Sequence, residues 1–228
     1  PGGYIAAIRA AQLGMNVACI DEWKNAQGGP APGGTCTNVG CIPSKALLNS
    51  SHLFEEAGHG FASQGIKTTG VSLDLPTMMG HKDKVVDATV KGVDFLMKKN
   101  KITHLQGFAS FVDRSTVLIT KHDGTTQTVT ANNVIVATGS VPTKLPIPGL
   151  DAADIWHANH EASKRVVDGT IAEGAIWSSN EAVTAKRVPE RLVVIGGGVI
   201  GVEFAYTYAG LGSKVTVLEF MPRVIANL

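Results

Sequence analysis

The spacing of apolar positions changes from segment to segment along the chain, and each spacing names an element. Arg191-Leu192-Val193-Val194-Ile195 is a nearly unbroken apolar run, the form taken by a parallel strand buried on both faces. It passes into Gly196-Gly197-Gly198-Val199-Ile200-Gly201, then a helical stretch, Val202–Leu211, and a second apolar strand, Val215–Leu218, closed by Glu219. Residues 42–57 predict a helix that starts about Pro43-Ser44-Lys45 and buries Ala46, Leu47, Leu48, Leu53 and Phe54. A longer helix is predicted over Asp74–Asn100, with Asp74 as N-cap and Pro76 in its first turn. Its apolar set is Val85, Val86, Ala88, Val90, Val93, Leu96 and Met97. Short strands follow at Ile102–Gln106, Ala109–Val112, Val117–Thr120 and Thr126–Thr130, with Asp123-Gly124 as a hairpin turn. Asn133–Ser140 reads as one more buried strand, leaving into a turn of small residues, and Glu22–Gly34 as a long loop.

The strand, glycine turn, helix, strand and acid at 191–219 form the G-x-G-x-x-G dinucleotide fingerprint in its required context. The glycines allow the tight turn, close approach of backbone to a pyrophosphate, and close packing of helix on sheet. The helix N-terminus offers free amides to phosphate. Glu219 suits a ribose with both hydroxyls and would repel a 2′-phosphate, which favours NAD over NADP. The same pattern recurs 198 positions earlier: Gly3 falls on Gly201, Ala7 on Ala205, Ala11 on Ala209, Gly14 on Gly212, Val17 on Val215 and Asp21 on Glu219. Pro1-Gly2-Gly3 is therefore expected to be the tail of a second fingerprint, with its strand missing and its sheet edges left open. The expected fold class is α/β, with two three-layer, Rossmann-like dinucleotide-binding domains, both incomplete. The expected divisions are 1–148, a connector at 149–190, and the start of a second domain at 191–228. Two such units suggest two cofactors, a flavin dinucleotide and a nicotinamide.

Composition narrows the class. The 228 residues are 44% hydrophobic and 17% charged with a net charge of +1, which gives no attraction to nucleic acid or to a membrane surface. No stretch approaches the roughly 20 apolar residues of a membrane span. No signal peptide is expected either, since Ile5–Ile20 carries Arg9 and Gln12. The opening residue, Pro1, reads as a cut N-terminus.

The candidate chemistry sits in Gly33-Gly34-Thr35-Cys36-Thr37-Asn38-Val39-Gly40-Cys41-Ile42-Pro43-Ser44-Lys45. Residues five apart on a regular helix are about 7.5 Å apart along the axis and about 140° round it. A disulfide wants Cα atoms roughly 4.4–6.8 Å apart, so a Cys36–Cys41 bridge needs a distorted turn, and strained bridges are the labile, catalytic kind. A helix beginning here, together with Lys45, would lower a thiol pKa. We read the pair as a redox-active disulfide. A structural disulfide, half a zinc site and two unrelated thiols are the alternatives; zinc needs about four ligands, and the remaining cysteine, Cys19, stands in an apolar run.

These motifs together (GGTCTNVGCIPSK at 33–45, ATGS at 137–140, VVIGGGVIGVE at 193–203) resemble the pyridine nucleotide–disulfide oxidoreductases over nearly the whole chain. The wording CIPSKALL at 41–48 is most similar to the branch that oxidises dihydrolipoamide for 2-oxo acid dehydrogenase complexes. The resemblance implies a flavoprotein that oxidises dihydrolipoamide to lipoamide through Cys36, Cys41 and FAD, and reduces NAD to NADH. Gly3 and Asp21 would bind the FAD pyrophosphate and ribose. Gly34, Thr35, Cys36, Thr138, Gly139 and Ser140 would line the flavin, with Gly107 near the adenine end. Cys36 would be the interchange thiol, Cys41 the thiolate over the flavin, and Lys45 the cation near flavin N5. Gly196, Gly197, Gly198, Val199, Ile200, Gly201 and Glu219 would hold NAD, with Glu203 reaching the nicotinamide end. No metal is implied. Implied partners are the lipoyl domains of E2 subunits, or the glycine cleavage H protein, and a second copy in a homodimer. The implied location is the cytoplasm, or the mitochondrial matrix in a eukaryote. Another disulfide or mercuric reductase of the family, and a non-catalytic nucleotide-binding fragment, remain as alternatives.

The sequence also departs from the family. Members are about twice this length, and a C-terminal domain supplies their dimer interface and a His–Glu base. None of the seven histidines here stands in that motif, so this chain alone is expected to turn over lipoamide poorly. The connector holds a near-repeat, residues 155–162 against 176–182, which is either a local duplication or join, or a chance similarity.

Overall fold

The computed structural model describes residues 1–143 and 177–226. The chain divides into two compact units: Pro1–Cys41 with Val85–Val141, and Ile42–Lys84 with Pro142–Leu228.

The first unit opens on helix α1 (Gly2–Gln12), which leads into strand β1 (Ala18–Asp21). β1 pairs in parallel with β2 (Thr103–Gln106), in the register Ala18 to Thr103 and Asp21 to Gln106. A parallel pair needs a long crossover, and here the chain between the strands supplies α2 (Gly34–Asn38), α3 (Cys41–Gly58) and α4 (Leu75–Lys99). Ala7 of α1 and Val93 and Met97 of α4 close on Ile102 to form a core, flanked by Tyr4, Ile8, Ala11, Val17 and Cys19. Beyond β2 comes an antiparallel meander, β3 (Phe108–Phe111), β4 (Thr116–Thr120) and β5 (Thr126–Thr130). Its second turn is the expected one at Asp123-Gly124. There the Lys121 N–H donates to Thr125 O at 2.8 Å, and Gly124 takes φ +82°.

In the second unit α3 and α4 contribute their residues 42–58 and 75–84. A short helix, α5 (Ser179–Ala182), starts on a capping box between Ser178 and Glu181. β6 (Arg191–Ile195), α6 (Val199–Gly210) and β7 (Lys214–Leu218) then follow, with β6 and β7 parallel and Arg191 opposite Lys214. Tyr208 of α6 is 2% exposed, donates its hydroxyl to Ala182 O at 2.7 Å, and lies 5.9 Å from the Trp177 ring. Asp74 is the N-cap expected for α4, accepting the Thr77 N–H at 3.1 Å and the Thr77 hydroxyl at 2.7 Å.

Four expectations are corrected. Residues 133–140 form no strand and pair with none among the described residues, and Val134, Ile135 and Val136 are exposed. An apolar run states a preference for burial but cannot supply the neighbouring strand that burial requires. β6, expected to be covered on both faces, alternates instead, with Val193 and Ile195 turned out; among the described strands its one partner is β7. On α3 the buried line is Pro43, Ser44, Leu47 and Ser51, while Leu53 is exposed. Ser51 takes that place because its hydroxyl donates to Thr207 O at 2.7 Å, a bond no hydropathy pattern shows. On α4, likewise, Val93 and Met97 are buried, but Ala88 and Leu96 face out. The first copy of the near-repeat and the connector from 149 to 176 lie outside the described residues.

Candidate functional site

The two cysteines stand on either side of a helix break. α2 carries Cys36 and ends at Asn38, Val39 and Gly40 interrupt it, and Cys41 opens α3. The interruption is the distorted turn that a five-residue offset demands. Gly40 allows it: a Cβ there would stand 3.0 Å from Thr35 O and 3.2 Å from the Cys36 Cα. Neither cysteine is in a disulfide, so the pair is a dithiol. Burial pushes the Cys36 thiol up from its ordinary range, and Cys41 adds to the shift. The expected lowering of a thiol pKa is therefore reversed at Cys36. α2 has five residues, too few for much of a dipole, and the Lys45 ammonium is engaged elsewhere.

The first unit holds most of the residues expected at the flavin site. The Thr35 hydroxyl donates to Ser140 O at 2.9 Å, joining the cysteine segment to the turn at 138–140. Gly139 takes φ +77°, and a Cβ on it would meet Thr35 Oγ1 at 3.5 Å. The first turn of α1 faces Ala137, whose Cβ lies 3.6 Å from the position a Gly3 Cβ would fill. Asp21 closes β1 and accepts the Trp23 N–H at 2.8 Å; burial raises its pKa, against the lowering by its backbone donors. Gly107 donates its N–H to Asp21 O at 3.1 Å. Its φ is +150°, and a Cβ there would stand 2.6 Å from Thr120 O, so the position excludes a side chain.

The second unit holds the complete glycine turn. A Cβ on Gly201 would fall onto Gly196 O, which is the close helix-to-strand approach the fingerprint requires. α6 has Gly198 as N-cap, no side-chain cap and no acidic residue in its first turn, and Val199 and Ile200 are exposed. Its leading amides are thus left to a ligand or to water. Glu219 turns back onto the loop, accepting the Gly197 N–H at 2.6 Å and the Met221 N–H at 2.7 Å, and these bonds lower its pKa. Glu203 accepts from Lys45 Nζ at 2.5 Å and from Ser44 Oγ at 3.3 Å. Lys45 and Glu203, 158 positions apart, thus form one ion pair.

Two residues of this site carried no signal in the spacing argument. Ser44 stands beside Lys45 on Glu203. Asn38 donates its carboxamide N–H groups to Ala31 O at 2.9 Å and Gly34 O at 3.1 Å. Among the described residues no group of three or more His, Cys, Asp or Glu side chains is placed to hold a metal ion.

Comparison with known proteins decides the family. The sequence profile described as "Pyridine nucleotide-disulphide oxidoreductase" matches residues 1–228. The chain belongs to this family. Among curated members, a dihydrolipoyl dehydrogenase from Dictyostelium discoideum is 43% identical over 227 residues, covering 100% of this chain and 41% of that protein. A dihydrolipoyl dehydrogenase from Mesocricetus auratus is 44% identical over 225 residues, covering 98% and 41%. A leghemoglobin reductase from Glycine max is 41% identical, covering 100% and 38%. The chain thus spans about two fifths of the length of the curated relatives it matches. Among solved structures, the HOCl-induced flavoprotein disulfide reductase RclA from Escherichia coli superposes with a TM-score of 0.69 at 24% identity, over 97% of this chain and 40% of that one. That likeness shows the fold of a flavoprotein disulfide reductase.

Proposed function

We propose that this chain is part of an FAD- and NAD-dependent dihydrolipoamide oxidoreductase, with Cys36 and Cys41 as its redox pair. The observation that carries this reading is the dithiol set across a helix break and tied through Thr35 to the turn at Ser140. In this reading the oxidised form is a Cys36–Cys41 disulfide. A thiolate of dihydrolipoamide attacks Cys36, and Cys41 leaves as thiolate. The second substrate thiol then attacks the mixed disulfide, releasing lipoamide and the reduced pair. Two electrons move from substrate sulfurs to protein sulfurs, and two protons are released or retained by the protein thiols.

The residues present fit the two dinucleotides. The glycine turn at 196–198 leads into a helix that brings no side-chain cap and no first-turn acid to its leading amides. Gly3, Gly139 and Gly201 keep the approach clear of side chains. FAD would be held by Gly3, Asp21, Gly34, Thr35, Cys36, Lys45, Gly107, Thr138, Gly139 and Ser140. NAD would be held by Gly196, Gly197, Gly198, Val199, Ile200, Gly201, Glu203 and Glu219. Bound FAD would supply the acceptor for the dithiol's electron pair, and bound NAD the acceptor for its onward transfer. Glu203 fixes the Lys45 ammonium, so the cation is held in place before any cofactor arrives. We assign lipoyl groups carried on E2-type domains as the substrate class and a homodimer as the working assembly. A mitochondrial site of action fits the relatives from Dictyostelium discoideum and Mesocricetus auratus, which are described as mitochondrial; among the described residues no helix is long and apolar enough to cross a membrane.

The test is mixed-disulfide trapping with free lipoamide. The Cys41→Ser chain is expected to capture a lipoyl group on Cys36, seen by intact-mass and peptide spectrometry, while Cys36→Ser captures little on Cys41. Capture on Cys41 alone, or on neither thiol, overturns the assignment. FAD retained through gel filtration by the wild type, and reduced by Gly139→Val, tests the flavin site separately.

A further inference from the structure

We propose that Asn38 is a positioning residue for the dithiol: its carboxamide fastens the loop before α2 to the helix that carries Cys36, and so sets how readily Cys36 and Cys41 bridge. The proposal rests on the reading of those cysteines as a redox pair.

A helix of five residues does not persist on its own propensity, since isolated helices are marginal below roughly 12–15 residues. α2 is held from outside. At its start Gly33 takes φ +133°, and a Cβ there would press within 2.5 Å of Thr37 Oγ1, so the turn is packed tight against the helix. Asn38, at its end, sends its side chain back along the helix to Gly34 O at 3.1 Å, reinforcing its first turn. The same carboxamide reaches outside the helix to Ala31 O at 2.9 Å. Ala31 is 1% exposed, and a buried carbonyl must find a donor. Ala31 is in turn tied to the base of the loop, its N–H donating to Trp23 O at 2.9 Å. The carboxamide therefore links β1's exit, the loop and α2 into one body, and Cys36 lies two residues from it. Asparagine suits the post because two carbonyls need two N–H groups on one short side chain; aspartate would turn acceptors on both.

Holding Cys36 beside Cys41 raises the effective concentration of one thiol at the other, which favours the bridge. Loosening α2 lowers it. The reaction to measure is dithiol plus oxidised glutathione giving the Cys36–Cys41 disulfide plus two reduced glutathiones, a two-electron exchange that balances without further reagents. In the 228-residue chain, Asn38→Ala is expected to lower that equilibrium constant about tenfold, equal to about 30 mV for a two-electron couple. Asn38→Asp should lower it further. The control is Asn25→Ala, which removes the carboxamide that accepts from Gln27 N and Gly29 N within the same loop but touches nothing in α2. It should leave the constant at the wild-type value. Each variant is checked by near-ultraviolet circular dichroism, and Asn38→Ala stands as the milder change where Asn38→Asp does not fold.

An unchanged constant in Asn38→Ala overturns the role of Asn38 and leaves the redox pair standing. An equal fall in Asn25→Ala also overturns it, because loop order alone would then be the cause. A wild-type chain that forms no Cys36–Cys41 bridge at any glutathione ratio overturns the redox pair itself, and the role of Asn38 with it.

Discussion

Helix α3, which begins at Cys41, crosses α6 at a point where one small side chain meets none. Ser51 is fully buried, and a Cβ on Gly210 would stand 2.5 Å from its Oγ. Gly210→Ala therefore forces either rotation of Ser51, which breaks its 2.7 Å bond to Thr207 O, or a local parting of the helices. Overpacking of this kind costs about 1–3 kcal/mol, and the better helix propensity of alanine offsets up to about 1. A net loss of about 1–2 kcal/mol is expected. Ser51→Ala alone removes one hydrogen bond, but Thr207 O keeps the Leu211 N–H at 3.2 Å, so about 1 kcal/mol is expected and no buried carbonyl is stranded. In the double variant the new methyl takes the space of the lost hydroxyl. Its loss should be about 1 kcal/mol or less, where simple addition gives about 2–3. Urea unfolding followed by far-ultraviolet circular dichroism measures all four corners of the cycle, with an unchanged slope as the sign that the folded state is the same. Additivity within about 0.5 kcal/mol would refute the contact as the cause.

Three further outcomes follow from the titrating groups, and a fourth from the ion pair. Asp21 has its pKa raised, so its charged form is disfavoured in the fold; stability should fall as pH rises from 3.8 through the raised value, and Asp21→Asn should remove that slope in acid urea titrations. Glu219 has the opposite sign: its pKa is lowered from 4.5, so its contribution is whole above 4.5 and lost as pH falls through the lowered value. The wild type and Glu219→Gln should converge in stability at the acid end; a gap that persists there refutes the bonding to Gly197 and Met221 as the cause. Cys41→Ser removes one cause of the raised Cys36 pKa, burial remaining, so the pH midpoint for iodoacetamide alkylation of Cys36 should move down but stay above that of a free thiol. Glu203→Gln should cost at most about 1 kcal/mol, because the Lys45 side chain is 56% exposed, and the loss should shrink in high salt.

What the sequence discloses here depends on the range of the cause. Strands β2, β6 and β7, the meander and the long helix α4 follow from local period and turn chemistry, and all lie within a few residues of their expected bounds. The cysteine segment was legible because a thiol spacing is itself local. The exposed run at 133–140 was misread because coverage of a strand depends on a neighbour that its own residues do not encode. The Lys45–Glu203 pair and the Ser51–Thr207 bond join residues more than 150 positions apart, beyond any periodicity. Cys36 failed differently: it stands on α2, a five-residue helix that was not expected, where burial raises its thiol pKa.

The carboxylate of Glu219 on the Gly197 N–H makes the glycine loop a receptor that already carries its own anion. Any phosphate or carboxylate arriving at that amide has to displace an internal rival before it gains a bond, so its measured affinity is a difference between two anions competing for one donor. Acid that protonates Glu219 weakens the rival and frees the amide.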